Sequence, residues 1–272
     1  MDKNLQTRLL VGFFGIVIIL FANFIHLYSF VVVFLFFWSL SALELIQVID
    51  SDGMYRLFML MFCLLLGMLY PGYGKVISYE VILLIWLCTV LFIVGILNYS
   101  TFGLKYFQKT GSFTKAIFFP VYVTIPYILF VMIRSGNRGS FWILFMLLTA
   151  WILDIFSYFT GMLIGKHRIA PKISPKKTVE GLLGGLVFSG FFIYFYLKAF
   201  TTVSIFPIIV ISLTLPFAGF LGDLFESFIK RSAGIKDSGD LLSGHGGFLD
   251  RFDSILFIIM LFSFYQHVLL WL

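Results

Sequence analysis

The chain has 272 residues, of which 61% are hydrophobic and 12% charged. Soluble domains carry about 45–50% apolar and about 25% charged residues, and a chain of this length could bury a soluble core with far fewer apolar side chains, so the excess calls for lipid as the second solvent. The formal charge of +6 does not point to nucleic acid, because the basic residues are strung between apolar runs and form no continuous basic domain. Lys and Arg concentrated beside cytoplasmic helix ends account for it.

A membrane-crossing helix needs about 20 apolar residues. In chain order, apolar runs fall at about 9–27, 29–47, 57–70, 81–99, 116–133, 141–165, 179–197, 203–229 and 255–272. The first follows Lys3 and Arg8 and resembles the apolar core of a signal peptide, but it lacks a small-residue cleavage site and reads as a retained helix. The third is short and ends at Pro71, so a half-buried segment is the alternative there. Nine spans with the N-terminus cytoplasmic put Lys75, Arg134, Arg138 and Lys198 outside and the other fifteen of the 19 Lys and Arg residues inside. Dropping the third span worsens that division. The expected fold is therefore all-α: a polytopic transmembrane bundle of about nine spans, N-terminus cytoplasmic and C-terminus outside. Cys63 and Cys88 both lie in apolar runs and read as packing residues. Residues 1–140 are expected to supply N-terminal membrane helices. Residues 141–272 are expected to form a catalytic membrane region with cytoplasmic loops at 166–178 and 230–254.

Charge inside a membrane is costly, so each such residue asks for a function. Asp154, Tyr158, Gly161 and Gly165 recur at helical spacing on one face of the sixth run. That face leads into Pro171-x-x-Ser174-Pro175, which ends the helix among Lys172, Lys176 and Lys177. The plain reading of this loop is a solvated basic loop; its ordered Pro, Ser, Thr and Glu residues favour a site. Asp223, Glu226, Ser227 and Lys230 form a polar stripe at the end of the eighth run. A structural ion pair of Asp223 with Lys230 or with a lysine of another helix is the alternative to a functional acid. In the seventh run, Gly181-x-x-x-Gly185 reads as helix packing.

The stretch from Lys236 to Ser254 is the most informative. Asp250 and Asp253, three apart, face one site if locally helical, and the turn Gly244-His245-Gly246-Gly247 lets backbone N–H groups approach an anion. Lys230, Arg231, Lys236 and Arg251 surround them. Hard carboxylates among cations suit Mg²⁺ shared with a polyphosphate, and His245 in this setting suits a phosphate contact. A phosphate monoester is already substantially ionised near neutral pH, so as a nucleophile it needs no strong base. The barrier lies in charge repulsion and in expelling an anionic leaving group, which metal ions and Lys/Arg clamps relieve.

The stretch Ser227-Phe-Ile-Lys230-Arg231-x4-Lys236-Asp237-x-Gly239-x2-Leu242-x-Gly244-His245-Gly246-Gly247-Phe-x-Asp250-Arg251-Phe-Asp253 resembles the signature of phosphatidate cytidylyltransferases, the CDP-diacylglycerol synthases. The stretch Asp154…Tyr158…Gly165-Lys166…Pro171…Ser174-Pro175-x-Lys177-Thr178-x-Glu180-Gly181 is similar to a second region of that family, from which Ser157 departs where alanine is more usual. The likeness is close from about 150 to 254; the first 140 residues match in hydropathy alone. The resemblance implies that CTP and phosphatidate give CDP-diacylglycerol and pyrophosphate for phospholipid synthesis, with Mg²⁺ required; the Lys and Arg distribution puts the basic loops at the cytoplasmic face, and the short loops suggest a bacterial-type cell membrane. It implies Asp223, Asp250 and Asp253 as catalytic metal ligands. Lys230, Arg231, Lys236 and His245 would hold the triphosphate or the leaving pyrophosphate. Lys172 and Lys177 would help to bind CTP or phosphatidate, with Ser227 and Arg251 as further substrate contacts. Asp154 is either catalytic or a bundle-holding residue. A homodimer is compatible with the family, and nucleic acid is not an expected partner. The rival readings are a CTP-dependent polyprenol kinase, which would release CDP and need a general base, and a transporter of anionic lipid or phosphate.

Overall fold

A computed structural model describes residues 3–48, 112–235, 238 and 247–266. The expected third and fourth spans, with Cys63 and Cys88, and the site residues Lys236 and His245 lie outside them. The described chain is a series of apolar helices: α1 (Lys3–Ile25), α2 (Leu27–Val48), α3 (Ser112–Ser135), α4 (Gly139–Ile164), α5 (Val179–Phe200), α6 (Ile205–Ser232) and α7 (Asp253–Tyr265). They coincide with seven of the nine apolar runs. Four of them, at Leu27–Leu45, Gly139–Ile164, Val179–Phe200 and Ile205–Ser232, are long and apolar enough to cross a membrane, while the apolar parts of α1, α3 and α7 are shorter. The protein is an all-helical membrane protein. Among the described residues the strands are those of a short antiparallel hairpin, β1 (Arg168–Ala170) with β2 (Ser174–Thr178), inside the expected loop 166–178.

Two compact units interleave along the chain. The first comprises, among the described residues, 3–48, 112–144, 232–235, 238 and 247–252; the second comprises 145–231 and 253–266. In the first unit α2 is central. Phe30, Phe34, Phe37, Ser41 and Glu44 recur at spacings of four and three, and all are buried, so they form a single face of the helix. Phe34 packs on Phe130 and Tyr127 of α3. Within this apolar contact the polar groups pair across the helices: Trp38 Nε1 donates to Thr124 Oγ1 at 3.1 Å, and the hydroxyls of Ser41 and Tyr127 meet at 2.9 Å. An unpaired hydroxyl in such a setting would have no water to turn to, so these pairs fix the register of α2 against α3. At the other end, Asn23 joins α1 to the α3–α4 turn: its carbonyl accepts from Arg134 Nε and Ser140 Oγ, and its amide donates to the Ser140 carbonyl.

In the second unit α7 is buried along nearly its whole length. The outward faces of α4 and α5 expose Tyr158, Met162, Leu163, Leu183, Val187, Phe191 and Phe195, the surface that lipid requires. Helices α4 and α5 meet through the expected glycine face. A Cβ on Gly185 would strike Ser157 Oγ, and one on Gly181 would stand 3.2 Å from the Cα of Gly161. Small residues at both surfaces therefore let the two backbones come together. The start of α5 is set by Thr178, whose hydroxyl accepts the Gly181 N–H as an N-cap.

Candidate active site

Three chain features build the site in the second unit. The first is the hairpin. Pro171 and the turn after Ala170 reverse the chain, with Ile173 N–H donating to the Ala170 carbonyl and the Ile173 side chain buried. Glu180, in the first turn of α5, accepts the backbone N–H groups of Lys166 and His167 and contacts His167 Nδ1. The chain leaving α4 is thereby tied to the start of α5, and the hairpin is held between them.

The second is α6. Its polar stripe carries two ion pairs. Lys177, reaching from β2, meets Asp223 at 2.8 Å and lies over the Phe220 ring. Lys230 meets Glu226 one turn earlier on its own helix at 2.7 Å, with the glutamate fully buried. Arg231 Nε donates to the Ile173 carbonyl at 3.2 Å. The hairpin is thus anchored to α6 at two points, Lys177–Asp223 and Ile173–Arg231. The sequence offered Lys230 or a lysine of another helix as the partner of Asp223; the lysine it meets, Lys177, stands on the hairpin strand β2.

The third is the start of α7. Gly222, beside Asp223, faces the backbone carbonyl of Asp253 so closely that a Cβ there would collide with it. The glycine lets α7 begin against α6 and brings Asp253 beside Asp223. Asp253 is buried, its Oδ1 accepts the Ser254 N–H at 2.6 Å, and its carboxylate lies within electrostatic reach of Asp223, Asp154 and Lys177. Ser254 Oγ reaches Asp154 Oδ1 of α4 at 3.4 Å. Asp154 of α4, Asp223 of α6 and Lys177 of the hairpin therefore all lie within electrostatic reach of Asp253.

The remaining site residues are placed as follows. Ser227 lies one turn after Asp223 on α6 and is half-buried. Lys172 is exposed on the hairpin turn. Asp250 and Arg251 belong to the first unit, in a short 3₁₀ turn, Leu249–Arg251. Arg251 is exposed. Asp250 Oδ2 accepts the N–H of Gly247 at 2.9 Å and of Ser238 at 3.3 Å. Sequence reasoning passed over Glu44. It is completely buried on α2, and it accepts the N–H groups of Phe248 and Leu249 and the hydroxyl of Ser238. A signal was present: Glu44 is an acid within an apolar run, in step with Phe30, Phe34, Phe37 and Ser41. Among the described residues no group of three or more His, Cys, Asp or Glu side chains is placed to hold a metal ion.

Apolar helices carrying carboxylates beside a hairpin lysine define a helical membrane protein with a charged site. The chain belongs to the cytidylyltransferase family, whose model matches residues 6–269. It is 42% identical over 132 residues to a phosphatidate cytidylyltransferase of Staphylococcus saprophyticus, covering 48% of this chain and 50% of that one. It is 39% identical over 160 residues to a phosphatidate cytidylyltransferase of Thermotoga maritima, covering 56% and 57%. A third, from Staphylococcus epidermidis, is 42% identical over 144 residues, covering 52% and 54%. The chain spans about half the length of the curated relatives it matches.

Proposed function

We propose that this protein is a Mg²⁺-dependent phosphatidate cytidylyltransferase, joining CTP to phosphatidate with release of pyrophosphate. The observation that carries the reading is the pairing of Lys177 with Asp223 beside the buried Asp253 in a member of the cytidylyltransferase family. The names of its relatives support the choice of substrates.

The donor set fits a hard divalent cation. Asp223 and Asp253 stand side by side and offer carboxylate oxygens, the donors that Mg²⁺ prefers, and the phosphate oxygens of the substrate would complete the set. Asp223 and Asp253 are the proposed ligands within the cluster, and Asp250 is proposed as a metal-binding carboxylate in its own turn. Bound there, Mg²⁺ would neutralise triphosphate charge and stabilise the leaving pyrophosphate.

The lipid phosphate attacks the α-phosphorus of CTP; a P–O bond forms to the lipid oxygen and the bond to the pyrophosphate oxygen breaks. No strong base is called for, since the attacking monoester is already ionised. Lys230 and Arg231 at the end of α6, with Lys236 and His245, hold the triphosphate and then the pyrophosphate. Lys177 exchanges part of its pairing with Asp223 for a phosphate oxygen, and Lys172 on the exposed turn meets an anionic headgroup. Ser227 and Arg251 supply further polar contacts to substrate. Asp154, through Ser254, helps to set the start of α7. Residues 141–272 carry this chemistry and residues 1–140 supply membrane helices.

The arrangement in the membrane is proposed as nine spans in the cell membrane, N-terminus cytoplasmic, C-terminus outside and the site at the cytoplasmic face. The support is the distribution of Lys and Arg. Reporters fused to the two termini should lie on opposite faces; the same face would refute the count.

The decisive test is pyrophosphate release by purified protein in detergent, with CTP, Mg²⁺ and phosphatidate omitted in turn. Release that needs all three, with CDP-diacylglycerol formed, is the expected result. CDP released in place of pyrophosphate, or CTP left unconsumed by folded protein, would reject it.

A further inference from the structure

We infer that Glu44 of α2 is a positioning residue for Asp250, an inference that rests on the proposed metal role of that aspartate. Glu44 is completely buried, and a buried carboxylate is costly unless its charge is met by hydrogen bonds or an opposite charge. Among the described residues it makes no ion pair. Its charge is met by donors from one short stretch of chain. Oε1 accepts the Phe248 N–H at 2.6 Å; Oε2 accepts the Leu249 N–H at 2.8 Å and the Ser238 hydroxyl at 3.0 Å.

Asp250 is held by the neighbouring donors of the same stretch. Its Oδ2 accepts the N–H of Gly247 and of Ser238. Three successive N–H groups, those of residues 247, 248 and 249, are therefore divided between the two carboxylates. Ser238 serves both: its hydroxyl goes to Glu44 and its N–H to Asp250. Packing adds a second attachment, since the Phe37 ring lies against Phe248 and Phe252, and Tyr127 lies against Phe252. Apolar packing fixes where this turn rests but leaves its rotation loose. Two charge-assisted bonds to consecutive N–H groups fix its orientation as well, and the direction of the Asp250 carboxylate follows. Glu44 itself touches neither substrate nor reacting atoms in this account.

The test compares wild type, Glu44→Gln, Glu44→Asp and Ser238→Ala as full chains in detergent, reading kcat, KM for CTP and the Mg²⁺ concentration for half-maximal rate. Glu44→Gln is expected to lower kcat by roughly ten- to a hundredfold, the range for losing charged hydrogen bonds. It should also raise the Mg²⁺ requirement severalfold, with KM for CTP less affected. Glu44→Asp should recover part of the loss, and Ser238→Ala should shift the Mg²⁺ requirement in the same direction by less. Unchanged kcat and Mg²⁺ requirement per folded molecule in Glu44→Gln, with reduced thermal stability alone, would overturn the positioning role. If Glu44→Gln does not fold, Ser238→Ala decides: a wild-type Mg²⁺ response overturns the inference and a raised requirement upholds it. Failure of the reaction itself is seen separately, as wild-type enzyme that consumes no CTP with Mg²⁺ present, and it overturns both.

Discussion

Replacing Lys177 with methionine keeps the apolar stem that lies over Phe220 and removes the cation that pairs with Asp223 beside the buried Asp253. The Lys177–Asp223 pair is 2.8 Å long, with side chains 17% and 32% exposed. Two unit charges at that separation attract by about 6 kcal/mol at an effective dielectric near 20. Desolvation of both groups and solvent screening on the exposed side cancel much of this, so the net loss should be about 1–3 kcal/mol. Asp253 lies within electrostatic reach of the same lysine. In thermal unfolding in detergent without divalent ions, the variant should melt roughly 2–10 °C below wild type. Added Mg²⁺ should stabilise the variant more than wild type, since the ion then supplies the missing positive charge. An unchanged melting temperature would refute the electrostatic account of the cluster. An equal gain from Mg²⁺ in both proteins would refute the placing of the cation there.

Other substitutions separate chemistry from scaffold. Asp250→Asn should lower kcat by about a hundredfold or more while the protein remains folded and inserted; full activity at ordinary Mg²⁺ would reject its metal role. Lys230→Met removes the lysine cation that pairs with the buried Glu226 and should cost up to about 3–5 kcal/mol of stability. Adding Glu226→Gln should return most of that stability without returning activity, and recovery of pyrophosphate release in the double variant would reject the phosphate-binding role of Lys230. Gly222→Val drives a branched side chain into the Asp253 carbonyl and should cost about 1–3 kcal/mol. Its turnover should fall as Asp253 is displaced, so wild-type turnover in a destabilised variant would show that Asp253 needs no close fit to α6.

Much of the site was legible in the sequence because charge inside an apolar run has few structural excuses. Asp154 and Asp223 were singled out on that ground, and Asp253 stood next to an apolar run within a charged, glycine-rich loop. The same reasoning applied to Glu44, yet its neighbourhood carried no motif, and it went unnoticed. Its partners are backbone N–H groups some two hundred residues further along the chain, and backbone donors leave no mark in residue identity. Gly222 was invisible for a related reason. A glycine before an aspartate in a helical run reads as neutral until the carbonyl that would collide with its Cβ is known. The hairpin at 168–178 was expected as a loop, because Pro171, Pro175 and three lysines carry no alternation. Its strands are held by Glu180 and by contacts to α6.

The sequence by itself determined that this is a helical membrane protein with its charges interrupting and bounding apolar runs, because hydropathy and helical period are local properties. The tertiary structure alone decided which charges meet. Lys177 goes to Asp223 and Lys230 to Glu226, and Glu44 goes to the turn that carries Asp250. Those choices depend on how closely helices approach and on which backbone groups are left without helical partners, quantities that exist once the elements have packed.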